Sequence, residues 1–460
     1  MRRFGILAGV VVIVALSSGC QHVYGPKPWT SVVASEELAK ASLQYYWRTQ
    51  LVLEPGESLR NLWQIDLDVY ALTSTNRLIS IDALSGSPRW TLKIAEPTQV
   101  VFAPCHANDV SLPQQTGLLE VTEPNTIPRL KPFNAVIINT LTTALVIERN
   151  SGTVMRTINF QFAANTGGSC DGTYFYVASV TGRYYAIRLS EGLQEWEMSG
   201  DDLISVKPVY YNHRLYVATH AGTFMCVSPN LAADRHLWTQ KTDGPITGEF
   251  VVDARGCFVP SQDFRLYAYD APSGGELWKY VMQGPLRTAA QVSARSVFQY
   301  ADHDRFYALD LASGRKRWDN PSDRLVLGSL GNNVAVLTAD LRLVVTDEMT
   351  GEASYSVPMT GLSLFVPNAS RPAIYAGSDD GKVVCIRQAK SGPLKPGMLS
   401  ESASQPATSQ AASAPASAPA AAPAETPAAT PTETPAATPE ATPATPEATP
   451  AAPEATPAQP

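Results

Sequence analysis

Residues 305–318 read Arg305-Phe306-Tyr307-Ala308-Leu309-Asp310-Leu311-Ala312-Ser313-Gly314-Arg315-Lys316-Arg317-Trp318. The apolar residues at the start of this segment predict a β-strand. Asp310 and Gly314 predict a turn after it, because Asp bonds to turn backbone and Gly reaches positive φ. The next strand carries Trp318, whose large aromatic ring suits packing between sheets. The segment therefore predicts two antiparallel strands joined by a turn.

The same pattern recurs along the chain, and its clearest other copies are residues 265–278 and 77–90. Weaker copies cover residues 144–158, 183–196, 223–238 and 341–355. Trp196, Trp238, Trp278 and Trp318 follow one another at intervals of 42, 40 and 40 residues. A repeat of about 40 residues that is β-structured throughout is typical of a propeller, in which small sheets surround an axis.

Eight such units can be counted between residues 44 and 388. The last unit lacks a Trp-bearing strand, and the segment around Trp47 near the N-terminus has the character of that strand. We therefore predict an all-β, eight-bladed β-propeller of four-stranded antiparallel blades, in which the N-terminal strand closes the last blade. The residues that define the repeat are Trp47, Trp90, Trp196, Trp238, Trp278, Trp318, Gly86, Gly274 and Gly314. The second unit is the weakest, because a polar and proline-rich insertion interrupts it at residues 107–132.

The N-terminus reads as an export signal over residues 1–19. Arg2 and Arg3 precede an uncharged apolar run of 13 residues, shorter than the roughly 20 needed to span a bilayer. Small residues then lead to Cys20, a pattern similar to a bacterial lipobox in which that cysteine carries the lipid. Ser17 stands where such motifs usually have leucine, so a plain secretory signal or an uncleaved anchor stays open. Residues 20–43 are expected to form a linker with a short helix that Ser35 caps.

The C-terminal part, residues 389–460, is predicted to be a disordered tail. From about residue 400 it is almost entirely Ala, Pro, Thr, Glu and Ser, so it has no large apolar side chain to bury. Its frequent prolines favour an extended spacer. From about residue 400 its only charged residues are glutamates, and the whole chain has a formal net charge of -7, so nucleic acid is not expected as a partner.

The repeat resembles the pyrroloquinoline-quinone (PQQ) type propeller repeat over about residues 45–388, and residues 305–318 carry that motif most closely. With the lipobox and eight blades, the chain is similar to the BamB-type lipoproteins. That resemblance implies a monomeric, non-catalytic scaffold that needs no cofactor and binds other envelope proteins, in outer-membrane protein assembly. It also implies a lipid-anchored location at the outer membrane, facing the periplasm. No contact residue of that family can be aligned here.

Two alternatives stay open. Quinoprotein dehydrogenases resemble this repeat but use PQQ, a calcium ion, a catalytic aspartate and a disulfide between adjacent cysteines. This sequence has no adjacent cysteine pair, and the repeated aspartates, such as Asp82 and Asp310, stand at a turn position where capping explains them. The six histidines lack metal-site spacing, so we interpret them as solvated turn residues and predict no metal ligand. The other alternative is a structural lipoprotein whose tail contacts the cell wall.

Cys105 and Cys170 support one further hypothesis. Each stands in the predicted innermost strand of its unit, and the two units are neighbours. An oxidising envelope would permit a disulfide between them if their Cα atoms lie within about 7 Å. The alternative is that the five cysteines after Cys20 are all small buried residues without a disulfide: Cys105, Cys170, Cys226, Cys257 and Cys385.

Overall fold

Each blade is a short antiparallel sheet whose strands are joined in sequence order by tight turns. The computed structural model describes residues 32–113, 131–231 and 234–400. Within them the chain forms eight four-stranded sheets, and every strand pairing is antiparallel. The predicted all-β, eight-bladed propeller is therefore confirmed. The predicted lipid-bearing Cys20 and the tail beyond residue 400 lie outside the described residues.

Blades 1 to 4 consist of β2 (Leu59–Ile65), β3 (Asp68–Thr73), β4 (Arg77–Asp82) and β5 (Pro88–Lys93); β6 (Cys105–Val110), β7 (Phe133–Asn139), β8 (Thr143–Glu148) and β9 (Val154–Asn159); β10 (Ser169–Cys170), β11 (Tyr174–Ala178), β12 (Arg183–Arg188) and β13 (Leu193–Ser199); and β14 (Val209–Tyr211), β15 (Arg214–Ala218), β16 (Thr223–Val227) and β17 (His236–Lys241). Blades 5 to 8 consist of β18 (Val251–Asp253), β19 (Gly256–Pro260), β20 (Arg265–Tyr269) and β21 (Glu276–Val281); β22 (Gln291–Val292), β23 (Ser296–Tyr300), β24 (Phe306–Asp310) and β25 (Lys316–Asn320); β26 (Asp323–Leu330), β27 (Asn333–Thr338), β28 (Arg342–Asp347) and β29 (Ala353–Pro358); and β30 (Leu364–Phe365), β31 (Ile374–Gly377), β32 (Lys382–Gln388) and β1 (Leu43–Gln50).

The N-terminal strand closes the ring, as the sequence predicted. β1 pairs with β32 as the fourth strand of blade 8, and Trp47 lies opposite Cys385 in that register. The last blade thus takes strands from both ends of the propeller. This pairing covers the edge of β32, which would otherwise leave its backbone groups open to another chain.

The hydrophobic core is divided among the spaces between neighbouring blades. Eight buried clusters are present among the described residues, one at each blade junction. The second strands are buried almost throughout, as β3 shows along its whole length. The fourth strands alternate, and in β21 the side chain of Trp278 is the buried one. In most fourth strands the side that faces the core therefore carries one large aromatic side chain as its main buried residue.

That aromatic fits against a glycine in the next blade. An ideal Cβ on Gly314 would lie only 2.5 Å from the indole carbons of Trp278, so the ring occupies the space that a side chain would need. Gly314 also has φ +67, a left-handed conformation that glycine adopts without steric cost. The Trp278 indole N–H donates to the carbonyl of Leu311 at 3.0 Å. We call this arrangement the indole clamp. It recurs for Trp47 with Gly86, Trp90 with Gly152, Trp238 with Gly274, and Trp318 with Gly351.

Three junctions depart from this clamp. In blade 2 Arg156 takes the tryptophan position, and in blade 7 the half-exposed Tyr355 takes it. Trp196 is present in blade 3, but its buried indole nitrogen has no hydrogen-bond partner among the residues that the structure describes. There the guanidinium of Arg235 lies over the ring, 4.6 Å from its centroid. The longer turn of blade 4 has no glycine at the clamp position, so a cation replaces the glycine contact.

Two local predictions need correction. The helix α1 (Ser35–Lys40) is present, but its cap is Ala34 and no side chain caps it. The predicted tail boundary at residue 389 is too early, because residues 389–400 lie against the propeller. Leu399 is fully buried and Leu394 nearly so, and the Leu394 N–H donates to the Tyr46 hydroxyl at 3.1 Å. None of the helices in the described residues is long and apolar enough to cross a membrane.

Candidate functional site

The turns of the blades form two distinct faces. On the hairpin face, the turns between first and second strands lie beside those between third and fourth strands, and Ala83 N–H donates to Leu67 O at 2.9 Å. On the connection face, the turns between second and third strands lie beside the segments that join blades, and Gln262 N–H donates to Pro245 O at 2.9 Å. A propeller binds through such turns, since its strands are committed to packing.

The repeated aspartates of the hairpin face are engaged in their own turns. Asp310 accepts hydrogen bonds from the Ser313 N–H and hydroxyl, and Arg317 contacts its other carboxylate oxygen. These hydrogen bonds lower the pKa of Asp310 to about 2. Asp82, Asp270 and Asp347 make equivalent turn contacts. Hydrogen bonding within the turn therefore explains why an aspartate stands at this position of the repeat.

A buried polar cluster joins blades 1 and 2 near this face. His106 Nδ1 lies 3.0 Å from an Asp66 carboxylate oxygen and 2.8 Å from Arg149, while its Nε2 lies 2.9 Å from the Tyr70 hydroxyl. Asp68 lies beside them, and burial raises its pKa. The expectation that the histidines are solvated turn residues is wrong for His106, whose side chain is only 6% exposed. The cluster anchors β6, because each of its buried polar groups is satisfied across the blade junction.

The neighbouring residue of the same strand faces the other junction. The Sγ atom of Cys105 lies 3.0 Å from that of Cys170 in β10, the first strand of blade 3. Both residues are half-buried, and Cys170 lines an open cavity of about 460 Å³ together with His106, Asp109 and Tyr210. The structure thus brings together the two cysteines that the sequence singled out. Cys226, Cys257 and Cys385 are buried elsewhere.

The connection face carries strained apolar residues that sequence reasoning missed. In six blades the residue directly before the third strand has positive φ: Asn76, Gly182, Gly222, Phe264, Leu341 and Gly381. Phe264 has φ +72 and is 44% exposed, and Leu341 has φ +58 and is 38% exposed. A left-handed conformation costs an ordinary residue about 1–2 kcal/mol. Burial in the core therefore does not explain why bulky apolar side chains occupy these two positions.

In these six blades the carbonyl of that residue accepts one backbone hydrogen bond from the residue after the fourth strand. The Phe264 carbonyl accepts from the Met282 N–H at 2.7 Å, and the Leu341 carbonyl accepts from the Met359 N–H at 2.8 Å. Asn76 accepts in the same way from Ile94. The bond ties the turn to the residue after the fourth strand, but it does not by itself require positive φ, because the Thr142 carbonyl of blade 2 accepts the same bond from Phe160 without it.

We found no group of three or more carboxylate, histidine or cysteine side chains that could hold a metal ion within the described ranges. Carboxylates are nevertheless frequent near the apolar turns of the connection face. Asp243 is 79% exposed and pairs with Arg265, the residue after Phe264. Asp340 is exposed directly before Leu341. An arginine directly follows each apolar residue, Arg265 after Phe264 and Arg342 after Leu341, so both residues are surrounded by charges of both signs.

The comparisons with known proteins agree with this geometry. A family model described as outer membrane protein assembly factor BamB, of the PQQ-repeat type, matches residues 220–422. The matched segment covers the last four blades of the ring, apart from the closing strand β1, and carries the PQQ-type propeller repeat. No curated protein sequence is significantly similar to it.

Two solved structures extend the likeness in fold to about three quarters of the chain. The crystal structure of BamB from Moraxella catarrhalis has a TM-score of 0.55 and 15% identity, covering 76% of this chain and 99% of that one. The computationally designed Ika8 protein has a TM-score of 0.53 and 14% identity, covering 72% of this chain and 96% of its own. At these identities the likeness concerns the fold alone.

Proposed function

We propose that this chain is a non-catalytic, lipid-anchored scaffold that binds proteins of the bacterial cell envelope during outer-membrane protein assembly. The observation that carries the proposal is the match of residues 220–422 to the BamB assembly-factor family, together with a ring that covers 99% of a solved BamB structure. The export signal and Cys20 support a location at the outer membrane, facing the periplasm. The aspartates held in their turns support a binding role rather than a catalytic one.

We further propose that the connection face at blades 5 and 7 contacts the partner, a periplasmic protein of the assembly machinery. Phe264 and Leu341 offer exposed apolar area on turns whose shape the backbone holds rigidly. Asp243 and Asp340 lie near them and Arg265 and Arg342 follow them, so the complementary surface is apolar with charged residues of both signs around it. A rigid and pre-organised surface loses little conformational entropy on binding.

A paired substitution tests this surface. Phe264→Asn and Leu341→Asn introduce the residue that Asn76 already provides in blade 1, and Asn tolerates positive φ. We expect the double variant to fold without loss of stability, because relief of about 1–2 kcal/mol of strain per turn offsets lost contacts. Photo-crosslinking in intact cells should then lose the captured assembly protein. Leu277→Asn is the matched control, since Leu277 is 52% exposed on the outer strand β21.

The anchor has a separate test. Cys20→Ala in the full chain should move the protein from the membrane fraction to the soluble periplasmic fraction, because each buried CH₂ of the lipid contributes about 0.8 kcal/mol to membrane binding. Wild-type protein whose purified N-terminal peptide carries no acyl chain on Cys20, as read by mass spectrometry, would contradict lipid anchoring. Capture of an unchanged partner by the Asn double variant would contradict the docking surface but not the scaffold role itself.

A further inference from the structure

The junction between blades 2 and 3 lacks the clamp that most other junctions use. Arg156 stands at the tryptophan position of β9, opposite Val146. The matching glycine of blade 3, Gly192, has only ordinary contacts, with the nearest atom, in Ile158, 3.5 Å from an ideal Cβ. On the connection side of this junction Phe162 stacks on Tyr185, with ring centroids 3.7 Å apart. Nearer the axis, a different pair of side chains meets.

Those side chains are Cys105 and Cys170, whose Sγ atoms lie 3.0 Å apart. They belong to the first strands of blades 2 and 3, so any bond between them crosses the junction. Cys170 also lines the open cavity beside His106 and Tyr210, and both cysteines are partly exposed. By contrast, Cys226, Cys257 and Cys385 are fully buried.

We propose that Cys105 and Cys170 form a disulfide that clamps blade 2 to blade 3. The oxidant is a protein or small-molecule disulfide. One cysteine thiolate attacks it to give a mixed disulfide, and the other cysteine then displaces the oxidant's second thiolate. The two cysteines lose two electrons and two protons, and the oxidant leaves as two thiols. In the cell this rests on the proposed export to an oxidising compartment.

The position of the bond explains what it does for the ring. The closed loop from Cys105 to Cys170 spans 65 positions and contains the insertion of the second unit, where the repeat is weakest. The first strand of blade 3, β10, has only two residues and so contributes little sheet pairing of its own. A covalent link at this strand fixes one of the three first strands that have only two residues, the others being β22 and β30.

The first test is chemical and uses the purified full chain. The protein is equilibrated with oxidised and reduced glutathione, unfolded, alkylated and mapped by mass spectrometry without reduction. We expect the Cys105 peptide joined to the Cys170 peptide, with Cys226, Cys257 and Cys385 alkylated. Alkylation of both Cys105 and Cys170, or linkage of Cys105 to any other residue, overturns the proposal. This measurement needs neither membrane nor partner, so its failure would leave the scaffold proposal intact.

The second test separates a clamp from an incidental bond. The urea midpoint of the wild-type chain should be higher in its oxidised form than in its reduced form. Cys105→Ser, Cys170→Ser and the double variant should each abolish that difference, and the double variant should lose no more than either single one. Cys226→Ala should keep the difference, because this buried cysteine is outside the pair. Equal midpoints for oxidised and reduced wild-type protein would overturn the clamp.

Discussion

Substituting Gly314 by alanine tests the indole clamp directly. The new Cβ would lie 2.5 Å from two carbons of the Trp278 indole, whereas carbon atoms in contact normally lie about 3.5–4.0 Å apart. The ring must therefore move by about 1 Å, and such overpacking costs about 1–3 kcal/mol. Alanine at φ +67 adds about 1–2 kcal/mol of backbone strain. We expect Gly314→Ala to lower the free energy of unfolding by about 2–5 kcal/mol.

Gly331→Ala is the control for the backbone contribution. Gly331 has φ +76, and an ideal Cβ there meets no atom within 4 Å. Its substitution should therefore show the left-handed strain of about 1–2 kcal/mol without the steric part. Equilibrium urea unfolding, followed by far-UV circular dichroism, gives both values. The difference between the two variants measures the contact with the indole.

A double-mutant cycle then assigns the effect to the tryptophan. In a Trp278→Ala background the ring is gone, so Gly314→Ala should cost no more than Gly331→Ala. Equal costs for the two glycine substitutions in the wild-type background would refute the clamp. An undiminished cost of Gly314→Ala without the indole would refute it as well.

Three further outcomes follow from the packing. Burial raises the pKa of Asp323 to about 6, above its usual value near 4, so the folded state holds the proton more tightly. The free energy of unfolding should therefore fall by up to about 3 kcal/mol as the pH rises from about 4 to 6, and urea titrations of Asp323→Asn should lack this fall. Leu399→Ala should lower the free energy of unfolding by about 2–5 kcal/mol and speed protease cleavage within residues 389–400. Met398→Ala is the control, because Met398 is half-exposed, and equal cleavage rates for the two variants would contradict this packing. Trp196→Phe should cost less in thermal unfolding than Trp278→Phe, because the Trp196 indole nitrogen has no partner to lose.

The sequence was sufficient to predict the architecture because its signals are local and repeated. Strand alternation, the Asp and Gly of a turn and the following tryptophan all lie within about 14 residues, as 305–318 shows. The ring closure was also predictable, since a unit without its tryptophan strand matched an unused strand around Trp47. The boundary of the last segment was not, because Leu394 and Leu399 show their burial only once the propeller surface is present.

The candidate sites divide in the same way. Cys105 and Cys170 could be singled out by their positions in the repeat, although only the structure shows their sulfur atoms in contact. His106 contacts Asp66 and Arg149, which come from two other parts of the chain, so no sequence spacing predicts that cluster. The positive φ of Phe264 was in principle predictable, because glycine or asparagine occupies the equivalent turn position in four other blades. That comparison requires the turns to be aligned, which the structure made possible.

By itself, the sequence determined the repeat, the number of blades, the closing strand and the residues that shape each turn, since these depend on neighbours along the chain. Only the tertiary structure decided which junctions lack an indole clamp, which side chains meet across them, and which turn residues are strained. Those properties depend on contacts between blades, where residues far apart in the chain compete for the same space, and local sequence patterns do not record that competition.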